Sequence, residues 1–289
     1  MLWALGNIID KFLLSKFEQE LGAPILIFIW SGTNLLFSSL LPLFFPLYFQ
    51  FSYELYSAML VGVLWFFASI LYIRALRVQE ASRIMALIST GPLFVMLMAF
   101  LVLGEKLSLG NYFGILLIVV ASILISYQRD SVSKKFLLMN GFKPILIAVL
   151  LWAITDILQK YSLSKIDAYS ILFWSSFSYF FLGAVYGLMN FRLLQDYFKK
   201  RQKLGTVFFS QFVSTAARLL FIFSLSVGAV SLVSAMSFTQ SFFVLFFASL
   251  LSFARPEILR EELKKSVLAI KFVAIFLIFL GTLLITSLV

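Results

Sequence analysis

Leu2–Lys16 reads LWALGNIIDKFLLSK, and Leu151–Lys165 reads LWAITDILQKYSLSK. At a constant offset of 149, eight of these fifteen positions are identical: Leu2, Trp3, Ala4, Ile8, Lys11, Leu14, Ser15 and Lys16. The same offset carries Leu76–Leu101 onto Leu225–Leu250, with matches at Leu76, Val78, Ser82, Ala86, Thr90, Phe94, Val95, Ala99 and Leu101. Apolar identities arise by chance in an apolar chain. The polar pairs Lys11/Lys160, Ser82/Ser231 and Thr90/Thr239, together with Trp3/Trp152, therefore carry the comparison. A period this long marks an internal structural repeat.

The composition says where such a repeat must fold. Of 289 residues, 62% are hydrophobic, 18% aromatic and only 12% charged. A soluble domain carries about 25% charged residues, and this much apolar surface needs lipid as its solvent. Cutting the chain at its charged and turn-forming clusters gives ten apolar spans: about 1–15, 25–48, 55–76, 84–103, 111–127, 143–161, 169–188, 205–227, 231–253 and 266–288. Most approach the roughly 20 residues a helix needs to cross a bilayer. They are apolar on all faces, unlike the alternating strands of a membrane barrel. The expected fold is an all-α membrane protein of ten transmembrane helices in two five-helix repeats, 1–128 and 143–289, joined by a basic linker at 129–142. An odd number of spans inverts the second repeat, the recurring plan of secondary transporters. The first span is shorter than its repeat mate by about seven residues, so a start upstream of Met1 is expected. The N-terminus has neither the basic region nor the cleavage site of a signal peptide.

The absence of Cys and His narrows the chemistry. It removes disulfides, thiol redox centres and the usual zinc ligands. It also removes the usual near-neutral general base. No enzyme activity and no cofactor are expected. A Walker-type Gly-rich loop is absent from the sequence, which leaves an ion gradient or substrate exchange to supply energy. The net charge of +10 does not indicate nucleic acid, since long apolar runs replace the interleaved basic groove that binding needs.

Within Ala86–Ile125, Gly91-Pro92-Leu93-Phe94, Leu103-Gly104-Glu105-Lys106-Leu107-Ser108 and Gly114 resemble the run through helices 4 and 5 of the drug/metabolite transporter superfamily, in its ten-helix EamA-type branch. The Trp-Ala start and late Lys of spans 1 and 6 are similar to that family as well. The resemblance covers essentially the whole chain in two copies. It implies a transporter and gives Pro92, Gly104 and Glu105 a gating or structural role. It also implies that Thr90 and Thr239 lie on helices lining the pathway. The second copy departs from the pattern: Ser241 stands at the position of Pro92, and a charged segment, Phe253–Ser266, replaces the Gly-Glu turn. Spans 5 and 10 align at an offset of 160. A proline break is thus expected in span 4 and not in span 9.

Nineteen of the 23 Lys and Arg residues fall on one side of the ten-span topology, against Lys106, Lys160 and Lys165 on the other. The positive-inside rule makes the rich side cytoplasmic and puts both termini outside, whereas family members more often have cytoplasmic termini. Most of these cations are anchors that also attract anionic headgroups.

Charges inside spans have a different meaning, because one at the bilayer centre costs at least about 2.5–3.5 kcal/mol and usually faces a partner or cavity. Arg218 lies near the middle of span 8. Asp156 lies in span 6 one turn before Lys160, and its repeat mate is Asn7, as Lys11 is that of Lys160. Arg218 is expected to receive an anionic substrate group through its fork, with Asp156 as counter-charge and coupling carboxylate. The alternative is a structural Asp–Arg pair between spans 6 and 8. Lys11 and Lys160 are coupling candidates or snorkelling helix-end residues. Gln211 and Gln240 add mid-span hydrogen-bonding groups, and Trp3, Trp65, Tyr72 and Trp152 are candidate aromatic walls for cations or rings, with lipid-facing packing the favoured alternative in a chain this aromatic. Ser31, Asn34, Ser175, Ser176 and Ser178 read as helix–helix contacts.

The expected function is a secondary carrier, ion-coupled or exchanging, that moves a small metabolite by alternating access. Export is the expected direction. Its partners are the substrate, membrane lipid, and a proton or sodium ion as coupling ion. It is expected as a monomer or homodimer in a bacterial or archaeal plasma membrane. A flippase for a lipid or lipid-linked sugar is the alternative. An intramembrane enzyme and a non-transporting scaffold are more distant ones.

Overall fold

The structure, a computed structural model, describes residues 2–6, 23–76, 87–126, 142–199, 204–240, 243, 246–247 and 265–286. All regular structure among them is helical. The helices are α1 (Ala23–Ser38), α2 (Tyr53–Leu76), α3 (Gly91–Met98), α4 (Leu109–Ser126) and α5 (Phe142–Ser162). They continue as α6 (Ala168–Met189), α7 (Phe191–Lys199), α8 (Leu204–Val227), α9 (Val230–Ser237) and α10 (Lys265–Thr286). Among the described residues, five segments are long and apolar enough to cross a membrane: Ala23–Leu43, Tyr53–Ala75, Phe142–Ser162, Ala168–Met189 and Phe208–Val227. Gly91–Leu103, Leu109–Leu124 and Phe272–Ile285 are shorter apolar helical segments.

Two local expectations are corrected. The second span was expected to run to residue 48, but α1 stops at Ser38 and a short 3-10 turn follows at Leu41–Leu43. Pro42 lies within that turn and Pro46 just beyond it, and proline cannot continue the backbone ladder. Between spans 7 and 8, Phe191–Lys199 is helical, with Leu194 packed on Ile25 and Ile29 and Arg192 exposed. The break expected only in span 4 occurs in span 9 too. α3 begins after a turn at Ser89–Thr90, which puts Pro92 in the first helical turn, where a missing N–H costs nothing. α9 ends in a turn at Phe238–Thr239, with no proline needed. Thr90 and Thr239 explain the match: each hydroxyl donates to the carbonyl three residues back, Leu87 at 2.6 Å and Met236 at 2.8 Å. Each backbone N–H does the same, at 3.1 Å in both. Such hydroxyl bonds compete with the helical ladder and favour a break.

The chain divides into two compact units, Met1–Ile70 with Leu158–Val227, and Leu71–Ile157 with Gly228–Val289. In the first, Asp167 caps α6 by accepting from the Ser170 N–H at 2.7 Å, and Leu55, Ala58, Ile171, Leu172 and Ile222 form a core. α2 and α6 meet at backbone contact: a Cβ on Gly62 would overlap the Ser175 carbonyl and the Ser178 hydroxyl. In the second unit, α4 and α10 pack antiparallel, with Gly114 against Gly281 and Ala121 against Ala274. A Cβ on either glycine would lie 2.8 Å from the other's carbonyl oxygen. This crossing pairs Gly114 with Gly281, whereas the offset of 160 aligns Gly114 with Ala274. Small residues serve this purpose between membrane helices, where packing replaces the hydrophobic effect.

Candidate functional site

In the first unit, α8 turns a polar row inward. Gln211, Thr215 and Arg218 recur at helical spacing and are all buried. The Thr215 hydroxyl donates to Asn34 Oδ1 at 3.1 Å, and Asn34 Nδ2 reaches the Trp30 carbonyl at 2.8 Å and Gln211 Oε1 at 3.5 Å. Arg218, 5% exposed, donates from Nη2 to Ser175 Oγ at 3.1 Å, and its guanidinium carbon lies 4.8 Å from the centroid of the Trp65 ring. Gly62 stands one turn before Trp65, so the close α2–α6 approach brings Ser175 and Trp65 to the same cation. Tyr179 and Ser69 extend the cluster, with their hydroxyls 3.3 Å apart. Trp3 packs against Phe221, ring centroids 5.3 Å apart. Lys160 donates to the Leu225 carbonyl at 2.6 Å, which puts a cation on the last turn of α8, where the helix dipole favours it.

The second unit holds the acidic candidates. Asp156 on α5 accepts from the Ser234 hydroxyl of α9 at 3.1 Å. Trp152, one turn earlier, lies against Tyr72 with ring centroids 5.7 Å apart. Gly104 ends the helical turns after α3 in the left-handed conformation, φ 67°, which glycine adopts without penalty. Glu105 then faces the start of α9. Its Oε1 accepts from the Val230 N–H at 2.6 Å, and Oε2 accepts from the Ser231 N–H at 3.3 Å and the Ser231 hydroxyl at 2.6 Å. Thr90, Thr239 and Gln240 are half-buried at the two helix breaks. No cluster of three or more acidic, His or Cys side chains able to hold a metal occurs among the described residues.

Arg218, Trp65 and Gln211 therefore share the first unit with Trp3 and Lys160, while Asp156, Trp152, Tyr72, Thr90, Thr239, Gln240, Pro92, Gly104 and Glu105 belong to the second. Asn7 and Lys11 lie outside the described residues. Sequence reasoning passed over Tyr179, Thr215 and Ser234 and took Ser175 for a packing residue. The period of polar residues along α8, and Ser231/Ser234 one turn apart on α9, were the signals available.

Residues 1–127 match the model of the EamA-like transporter family. The chain is also similar to a protein of known crystal structure, over 99% of both chains, with a TM-score of 0.67 and 13% sequence identity. That likeness is one of fold. No curated protein matches the sequence. Residues 1–127 are thus similar to the EamA-like transporter family, and with its long apolar helices the chain is a multi-pass integral membrane protein.

Proposed function

We propose that the protein is a secondary carrier of a small metabolite bearing an anionic group, with Arg218 as the substrate contact. The two repeats, 1–128 and 143–289, form ten spans of inverted topology and alternate access between the two membrane faces, in the direction of export. The observation that carries this reading is Arg218 itself: a guanidinium buried in α8, held by Ser175 and over the Trp65 ring. A mid-span cation is costly and is retained where a charge must be met. A guanidinium fork is the group suited to grip a planar carboxylate or phosphate by two parallel hydrogen bonds. Asp156, with a hydroxyl donor on Ser234, is the carboxylate for a coupling proton or sodium ion.

Uptake into proteoliposomes of phosphatidylethanolamine and phosphatidylglycerol tests this across a radiolabelled panel of amino acids, amines and nucleotides, with and without imposed proton and sodium gradients. Accumulation of an anionic member, abolished in Arg218→Ala and made gradient-independent in Asp156→Asn, supports the reading. Accumulation confined to cationic amines contradicts it.

A further inference from the structure

The first turn of α9 has four backbone N–H groups with no partner inside the helix. Its N-cap residue is Ala229, which has no side-chain acceptor to offer. Glu105 fills that vacancy from another part of the chain. Its two oxygens take the Val230 and Ser231 N–H groups and the Ser231 hydroxyl. The carboxylate also sits where the helix dipole favours negative charge. α9 is only eight residues long, and helices this short owe their position to tertiary anchors rather than to intrinsic propensity. Ser234 lies one turn after Ser231 on the same face, and its hydroxyl donates to Asp156 Oδ2. Fixing the first turn of α9 thus fixes one donor on Asp156.

We propose that Glu105 is a positioning residue for Asp156, acting through the N-terminus of α9 and the Ser234 hydroxyl. This rests on the reading of Asp156 as the coupling carboxylate. In the loaded cycle Glu105 touches neither substrate nor coupling ion. It keeps the Ser234 hydroxyl on Asp156.

The test uses the full chain in proteoliposomes and a substrate-free probe, dicyclohexylcarbodiimide, to whose electrophilic carbon a carboxyl oxygen adds faster once a hydrogen-bond donor to that carboxyl is withdrawn. Labelling of Asp156 is read by peptide mass spectrometry, and hydrogen–deuterium exchange is followed over 230–237. Ser234→Ala should speed Asp156 labelling by about threefold to tenfold, the range one net hydrogen bond allows. Glu105→Gln should raise exchange in α9 and speed labelling by a similar factor, Glu105→Asp should restore much of both, and Glu105→Gln in the Ser234→Ala background should add little. Raised exchange in Glu105→Gln with wild-type labelling of Asp156 overturns the proposal, as do additive effects of the two substitutions. If Glu105→Gln does not fold, the Glu105→Asp and Ser234→Ala pair decides by the same comparison. Gradient-driven uptake that survives Asp156→Asn refutes the coupling role of Asp156 and leaves the Glu105–Ser234 link standing, so the two failures are distinct.

Discussion

The Arg218 guanidinium carbon sits 4.8 Å from the centroid of the Trp65 ring, and the two residues come from helices α8 and α2 of one compact unit. A cation over an indole face gains roughly 0.5–2 kcal/mol. Trp65→Leu should therefore weaken substrate binding by about twofold to thirtyfold, with Trp65→Phe closer to the parent. Arg218→Lys keeps the charge but loses the fork and the stacking plane. It should lose at least about tenfold in transport, measured as counterflow in proteoliposomes. Transport by Arg218→Lys indistinguishable from that of the parent would mean that only a point charge is required.

Gly62 is the position where α2 and α6 admit no side chain. Gly62→Ala forces the two backbones apart and should cost about 1–3 kcal/mol, the usual range for overpacking. Gly32→Ala is the control, because its Cβ would meet only the Phe180 ring at 3.6 Å, an ordinary contact. Thermal unfolding in detergent should show a lowered Tm for the first and little change, or a rise, for the second.

Lys165, in the turn between α5 and α6, bonds Glu54 at 2.7 Å. The Glu54 carboxylate raises the Lys165 pKa above its ordinary value, first through the hydrogen bond and then through its charge. A lysine held above its unfolded pKa contributes stability below that value, near ~10.4, and loses it as pH climbs through the folded one. The Tm gap between the parent and Lys165→Gln should be small, since Lys165 is largely exposed. It should be present at about pH 8 and shrink as pH climbs above the ordinary lysine value of about 10.4.

Lys160 places its ammonium on the Leu225 carbonyl at the end of α8, and Glu105 its carboxylate on Val230 at the start of α9. Only Gly228 and Ala229 separate the two helices. Each charge complements the dipole of the helix end it meets, worth about 0.3–1 kcal/mol, more when partly buried. Lys160→Met should raise hydrogen exchange in 220–227, while Lys160→Arg retains protection. Equal exchange in all three would remove this role.

Much of the helical layout was legible from where charges interrupt apolar runs. α5, α6 and α8 begin and end within about two residues of the hydropathy cuts, because Asp167, Lys143 and Lys203 mark the polar edges. Hydropathy could not place the end of α1, since the residues after Ser38 are as apolar as the helix and only Pro42 and Pro46 register the change. It also missed the break at Thr239, which depends on one hydroxyl bonding back to Met236 rather than on a breaker residue. At the site, the rarity of a mid-span cation singled out Arg218. Ser175 and Ser234 looked like ordinary small polar residues, because what distinguishes them is the neighbour that tertiary packing supplies. Glu105 was visible as a motif, but its partner lies 125 residues away in sequence and no local period points to it.

The central claim, that Arg218 carries an anionic substrate in a secondary carrier, is tested most directly by counterflow. Proteoliposomes holding the parent or Arg218→Ala are preloaded with unlabelled compound, and entry of the labelled form is followed with no ion gradient and no ATP. The account predicts rapid counterflow of an anionic metabolite by the parent and none above protein-free vesicles by a folded Arg218→Ala. Equal counterflow by the two proteins, with matched Tm and reconstitution, would contradict it.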